Sequence, residues 1–138
     1  MGRILAIDYG LKRSGLAVTD PLKIIATALD TVSSTELISY LEAYFSKEDV
    51  EEVFIGMPKN LQNQDTDSTP FVRKFIKTFE NKFPSRKITP HDERFTSSMA
   101  KQAMITGGMS KKNRQNKGAV DQIAAVIILQ EAMLGKRE

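Results

Sequence analysis

Three short apolar runs crowd into the first thirty residues, and their spacing restricts the fold more than any other feature of the chain. Arg3 to Tyr9 reads as a buried strand broken by Gly10. Gly15 to Thr19 follows after a short turn, and Ile24 to Leu29, beyond the turn at Asp20 and Pro21, is the third run. Connections this short join strands antiparallel, because a parallel crossover needs about a dozen residues or more. The chain therefore begins as a meander.

Beyond it the pattern alternates. Ser33 with Glu36 three positions on predicts a capping box, opening a helix with Leu37, Ile38, Leu41, Tyr44 and Phe45 at helical spacing. Val53 to Gly56 is a short buried strand, and a polar loop runs from Met57 to about Ser68. Pro70 stands where a helix can begin, and Phe71, Val72, Phe75, Ile76, Phe79 and Phe83 make its apolar face. Lys87 to Thr89 is a brief fifth strand ending at Pro90. Ser97 to Thr106 is predicted helical with Gly107 as its stop, and a basic loop spans Ser110 to Gly118. A last helix sets Val120, Ile123, Ala124, Ile127, Ile128 and Leu134 on one face. The order βββαβαβαα predicts an α/β fold, a mixed sheet with helices covering its faces. At 138 residues the expectation is one domain, 1–138. The phenylalanines fall on core faces and leave no platform for stacking bases, so recognition of a nucleic acid would rest on phosphates and shape.

Several classes are excluded by composition. There is no cysteine, hence no disulfide scaffold, zinc-thiolate site, iron–sulfur cluster or thiol catalysis. Arg3, Asp8, Lys12 and Arg13 interrupt the opening, so no signal peptide is expected. The apolar stretch from Ile123 to Leu129 is far short of the roughly 18 residues of a membrane span. A soluble, cytoplasmic protein with no membrane partner is the expectation. Net charge is only +3, but its distribution is uneven. Asp30 to Glu52 holds seven acids and one base, whereas Arg94 to Val120 holds six bases and no acid. Such asymmetry suggests a side that faces a polyanion.

Three carboxylates stand where chemistry could sit. Asp8 ends an apolar strand, where a sheet presents side chains to a cleft, although Asp-x-Gly also serves as an ordinary turn at strand exits. Asp92, Glu93 and Arg94 follow the last strand; Thr96 and Ser97 there serve as a helix N-cap. Asp121 lies near the start of the final helix, where it favours the macrodipole and can pair with Lys117 at i,i+4; neither role excludes a metal ligand. Oxygen ligands without cysteine, with His91 read as a structural or rim residue, suit Mg²⁺ or Mn²⁺ rather than zinc. Two such ions about 3.5–4 Å apart can activate water and stabilise the leaving oxygen in phosphodiester cleavage. Lys111, Lys112, Arg114 and Lys117 could hold phosphates beside them.

These residues also fall into a recognisable pattern. Asp8, Gly10, Lys12, Arg13, Gly15 and Ala17 follow the spacing D-x-G-x-K/R-R-x-G-x-A. Gly56 and Pro58 match a G-x-P strand exit, and Asp92, Glu93, Arg94 and Thr96 match D-E-R-x-T/S. Lys117, Asp121, Ala124, Ala125, Ile128, Leu129 and Gln130 match K-x-x-x-D-x-x-A-A-x-x-I-L-Q. In this order they resemble the YqgF (RuvX) family across essentially the whole chain. The resemblance implies an RNase H-like fold related to RuvC-type junction resolvases, five strands in the order 3-2-1-4-5. It implies that Asp8, Glu93 and Asp121 form a metal-binding catalytic site, and that the chain matures the 5′ end of small-subunit ribosomal RNA or resolves Holliday junctions. Arg13 and Arg94 are then candidates for phosphate or carboxylate contacts; Arg94 equally orients Glu93 or pairs with Asp92. Where the family usually has glycine in the loop after Pro58 this chain has Asn63, which tolerates the left-handed backbone region. Tyr9 should point away from Asp8.

Four functions remain to compare: a nuclease on structured RNA, a junction resolvase that works as a symmetric dimer, a nucleic-acid-binding factor with an idle site, and an ATPase of the actin type. The last needs two such domains and is discounted on length.

Overall fold

The computed structural model describes residues 2–57, 69–92 and 117–137, the backbone alone at 92, 117–121 and 135–137. Strands β1 (Arg3–Asp8), β2 (Arg13–Thr19) and β3 (Ala26–Ser33) form the expected antiparallel meander. On the other side of β1, β4 (Val50–Met57) pairs parallel with Ile7 beside Ile55, and β5 (Ile88–Asp92) pairs parallel outside β4. The sheet order is β3-β2-β1-β4-β5, as the resemblance implied. A central strand covered on both faces has no use for alternation, which is why Ile4 to Ile7 are all apolar and all buried.

Helices α1 (Leu37–Lys47) and α2 (Thr69–Lys82) cover one face, and α3 (Lys117–Arg137) covers the other. Under α1 and α2, Leu5, Ile7, Leu16 and Val18 meet Leu37, Leu41, Val72, Phe75 and Phe79. Under α3 the strands offer Ile4, Ala6, Ala17 and Phe54 to Ala125, Ile128, Leu129, Ala132 and Met133. Alanines on both partners let this helix lie close to the sheet. Among the described residues no helix is long and apolar enough to cross a membrane.

Several boundaries differ from those expected. The third strand starts at Ala26, not Ile24, and runs to Ser33. The Asp20 carboxylate accepts the backbone N–H groups of Leu22, Ile24 and Ile25, holding Ile24 and Ile25 in an exposed turn. The hydrogen bond from Ile25 chiefly holds the Asp20 carboxyl below its usual range, against a smaller opposing effect of desolvation. No capping box forms: β3 occupies Ser33, Ser34 to Glu36 make a 3₁₀ turn, and the Ser33 hydroxyl pairs with Thr35 at 3.0 Å. β5 continues through Pro90 to Asp92, which an edge strand permits because an outward position needs no N–H donor. Phe71, expected in the core, is 49% exposed. α3 already includes Lys117 and Gly118, assigned above to the basic loop, and buries Ala125, Leu129 and Met133 while Leu134 is exposed. The helix expected over 97–106, its stop at Gly107, most of the basic loop and Asn63 lie outside the described residues.

Candidate active site

Register places five residues in one row across the sheet, at the level where β1 ends. Gly15 stands opposite both Asp8 and Thr31. Gly56 follows Ile55, the partner of Ile7, and stands opposite His91. The row therefore reads Thr31, Gly15, Asp8, Gly56, His91, one residue from each strand in sheet order. Ile4 and Ala6 pack beneath α3, so the strand's period of two gives Asp8 the same face. Tyr9 turns the other way and packs on Phe75 at 5.0 Å between ring centres, as alternation predicted.

α3 touches both ends of this row. Gln122 Nε2 donates to Thr31 Oγ1 at 2.8 Å, and His91 Nε2 pairs with Glu131 Oε2. Between these ends, the register sets a glycine beside Asp8 on each neighbouring strand. Arg13, two residues before Gly15 and half-buried, shares the Asp8 face at the same end of the sheet.

The turn after β1 fixes where the strand stops. A Cβ on Gly10 would lie 2.3 Å from the Arg13 carbonyl oxygen, so only glycine fits there. The Ser34 hydroxyl donates to the Gly10 carbonyl, and Ser14 and Ser34 share a hydrogen bond of 2.8 Å. The turn reading of Asp-x-Gly thus holds for Gly10, by its packing, while Asp8 itself lies on the α3 face of the sheet.

Of the three predicted carboxylates, only the side chain of Asp8 is among the described residues. Asp121 lies on α3 immediately before Gln122, so its backbone sits in the turn that is bonded across the row through Thr31. Glu93, Arg94, Lys111, Lys112 and Arg114 lie outside the described residues, and Lys117 is on α3 with its backbone alone described. Among the described residues no three His, Asp or Glu gather into a metal-binding group. The one described carboxylate of the three, Asp8, is an oxygen donor of the kind a hard cation takes. Sequence reading missed Gln122, Thr31 and Glu131 as partners, since their contacts join residues 91 and 40 positions apart. It read His91 as a structural or rim residue, and its pairing with Glu131 is a structural one.

A five-stranded mixed sheet in this order, with an aspartate ending the central strand beneath the last helix, defines an RNase H-like architecture. T. thermophilus RuvC, solved in complex with a Holliday junction substrate, shares the fold with a TM-score of 0.59 at 14% identity, covering 99% of this chain and 96% of that one. Residues 2–134 match the RuvX family profile, described as Holliday junction resolvase. A Flavobacterium johnsoniae protein named "Putative pre-16S rRNA nuclease" is 50% identical over 137 residues, covering 99% of each chain. A Christiangramia forsetii protein of the same name is 52% identical over 130 residues, covering 94% of this chain and 96% of its own. The chain belongs to the RuvX family.

Proposed function

We propose that this protein is a divalent-metal-dependent nuclease that hydrolyses a phosphodiester bond at the 5′ end of precursor 16S ribosomal RNA. The observation that carries the reading is Asp8, ending the central strand on the face that α3 covers, in the row whose Thr31 is bonded to Gln122, the neighbour of Asp121 in sequence. The relatives' shared name points the same chemistry toward ribosomal RNA. Asp8, Glu93 and Asp121 would hold Mg²⁺ or Mn²⁺, one carboxylate from each of three elements. Bound there, a pair of ions would supply Lewis-acid activation of water and stabilisation of the leaving oxygen. Arg13 and Arg94, with Lys111, Lys112, Arg114 and Lys117, supply the cationic path for the RNA backbone. The chain acts as one domain, 1–138, in the cytoplasm, as a monomer or homodimer.

The test compares wild type and Asp8→Asn on a precursor 16S RNA fragment, single strands and a four-way DNA junction, with Mg²⁺ and Mn²⁺. Cleavage of the RNA that falls by at least about a hundredfold in a cooperatively folding Asp8→Asn supports the reading. Paired cuts in the junction alone would move the substrate to branched DNA. Binding without cleavage by wild type would leave a nucleic-acid-binding factor with an idle site.

A further inference from the structure

β5 is the least supported strand at the site, yet Glu93 follows it directly. It has five residues, a single partner strand, and Pro90 in its middle contributes no backbone donor. Short edge strands of this kind open at low cost. His91, on the α3 face, ties the exit of β5 to α3: its Nε2 pairs with Glu131 Oε2, with both side chains partly buried. Glu131 lies ten residues beyond Asp121 on the same helix, roughly 15 Å along its axis. His91 itself stands two strands from Asp8 in the row, about 10 Å away.

We infer that His91 and Glu131 are positioning residues for the metal site: their contact fixes against α3 the exit of β5, the strand end from which the chain runs directly into Glu93. Gln122 and Thr31 hold the same helix at the opposite edge of the sheet, so α3 is fastened on both sides of the central carboxylate. The helix spans both contacts as one element and carries Asp121 in its chain. The pair acts through its hydrogen bond, and a neutral partner of the same shape should serve.

This inference rests on the metal-site reading above, and Mn²⁺ binding separates the two. Mn²⁺ is titrated by electron paramagnetic resonance into wild type, Glu131→Ala, Glu131→Gln and His91→Phe, below the melting onset of each. Residues that orient metal ligands indirectly typically change affinity by about 10- to 100-fold. Glu131→Ala and His91→Phe should each raise the Mn²⁺ Kd at least about tenfold and lower kcat while KM for RNA stays within about twofold. Glu131→Gln, which keeps an acceptor for the imidazole N–H, should stay within about threefold of wild type. Glu42→Ala removes the Glu42–Lys82 ion pair of α1 and α2 on the far face and serves as a structural control, with unchanged Mn²⁺ affinity. His91→Phe fills the edge position with a ring and keeps the test open should Glu131→Ala fail to fold. Wild-type Mn²⁺ affinity in the folded Ala or Phe variants overturns the inference while leaving the metal site intact. Absence of Mn²⁺ binding by wild type overturns the metal-site reading and this inference with it.

Discussion

Gln122 and Thr31 lie 91 positions apart in the chain and are joined by a 2.8 Å hydrogen bond that seats the start of α3 on the edge strand. Thr31 shares its row with Asp8, and Gln122 adjoins Asp121 in sequence, so this bond links the lateral position of the helix to the candidate site. A typical hydrogen bond contributes about 0.5–1.5 kcal/mol net to stability. Gln122→Ala should therefore cost the fold about 1 kcal/mol in urea unfolding. Activity should fall further than stability does if Asp121, the neighbour of Gln122 in sequence, belongs to the site, because the start of α3 loses its bond to the sheet. Pairing Gln122→Ala with Thr31→Val in a double-mutant cycle checks the assignment, since the second change should add little once the first is made.

Gly10 tests whether the turn and the site are one device. A methyl group there meets the Arg13 carbonyl oxygen at 2.3 Å, and backbone rather than a flexible side chain would have to yield. Gly10→Ala should destabilise the protein by about 1–3 kcal/mol, the usual range for forcing atoms into filled space. It should also disturb the hydrogen bond from the Ser34 hydroxyl to the Gly10 carbonyl and displace Asp8 at the strand end. Cleavage that remains at wild-type level in a clearly destabilised Gly10→Ala would separate the turn from the chemistry.

The sheet was legible because its information is local: three apolar runs with short connections permit little but a meander, and the later strands are each bounded by turn signals. The face of α3 was harder. Large apolar residues suggested Ile123, Ile127 and Leu134, whereas close packing on Ala6 and Ala17 selects Ala125, Leu129, Ala132 and Met133. The start of β3 was misplaced because Asp20 takes the N–H groups of Ile24 and Ile25 out of the ladder, a tertiary effect that apolar character hides. Asp8 could be singled out from its strand end and motif. The glycine-flanked row around it depends on register between five strands, and its two fastenings to α3 depend on contacts between distant segments. Neither leaves a periodic trace.

The basic segment yields a salt-dependence prediction. Replacing Lys111, Lys112 and Arg114 with Ala removes three cations from one stretch of chain. Each phosphate contact contributes about −0.9 to the log–log salt slope on duplex DNA and about −0.7 on single strands. The triple variant should bind a precursor RNA fragment more weakly, with a slope flatter by roughly two to three units, while Mn²⁺ affinity holds. Equal slopes for variant and wild type, measured by fluorescence anisotropy across a salt series, would reduce the segment to a solvated connection.

Asp121 carries the most demanding prediction, because an acid near a helix N-terminus also has a purely structural use. It lies in the second turn of α3, past the positions where a charge gains most from the macrodipole. If that small gain is its whole role, Asp121→Asn should cost no more than about 0.3–1 kcal/mol and leave activity near normal. As one of three carboxylates around a divalent ion, its loss should weaken Mn²⁺ binding by at least about tenfold and slow cleavage by orders of magnitude. Asp121→Glu distinguishes the cases further: it restores the charge but moves it by one methylene. A dipole partner is rescued by that change, whereas a ligand held in register by Gln122 and Thr31 is not. Mn²⁺ titrations and single-turnover cleavage with wild type, Asn and Glu variants decide the matter. Near-wild-type cleavage by Asp121→Asn at low metal would remove Asp121 from the site and leave Asp8 and Glu93 as its two carboxylates.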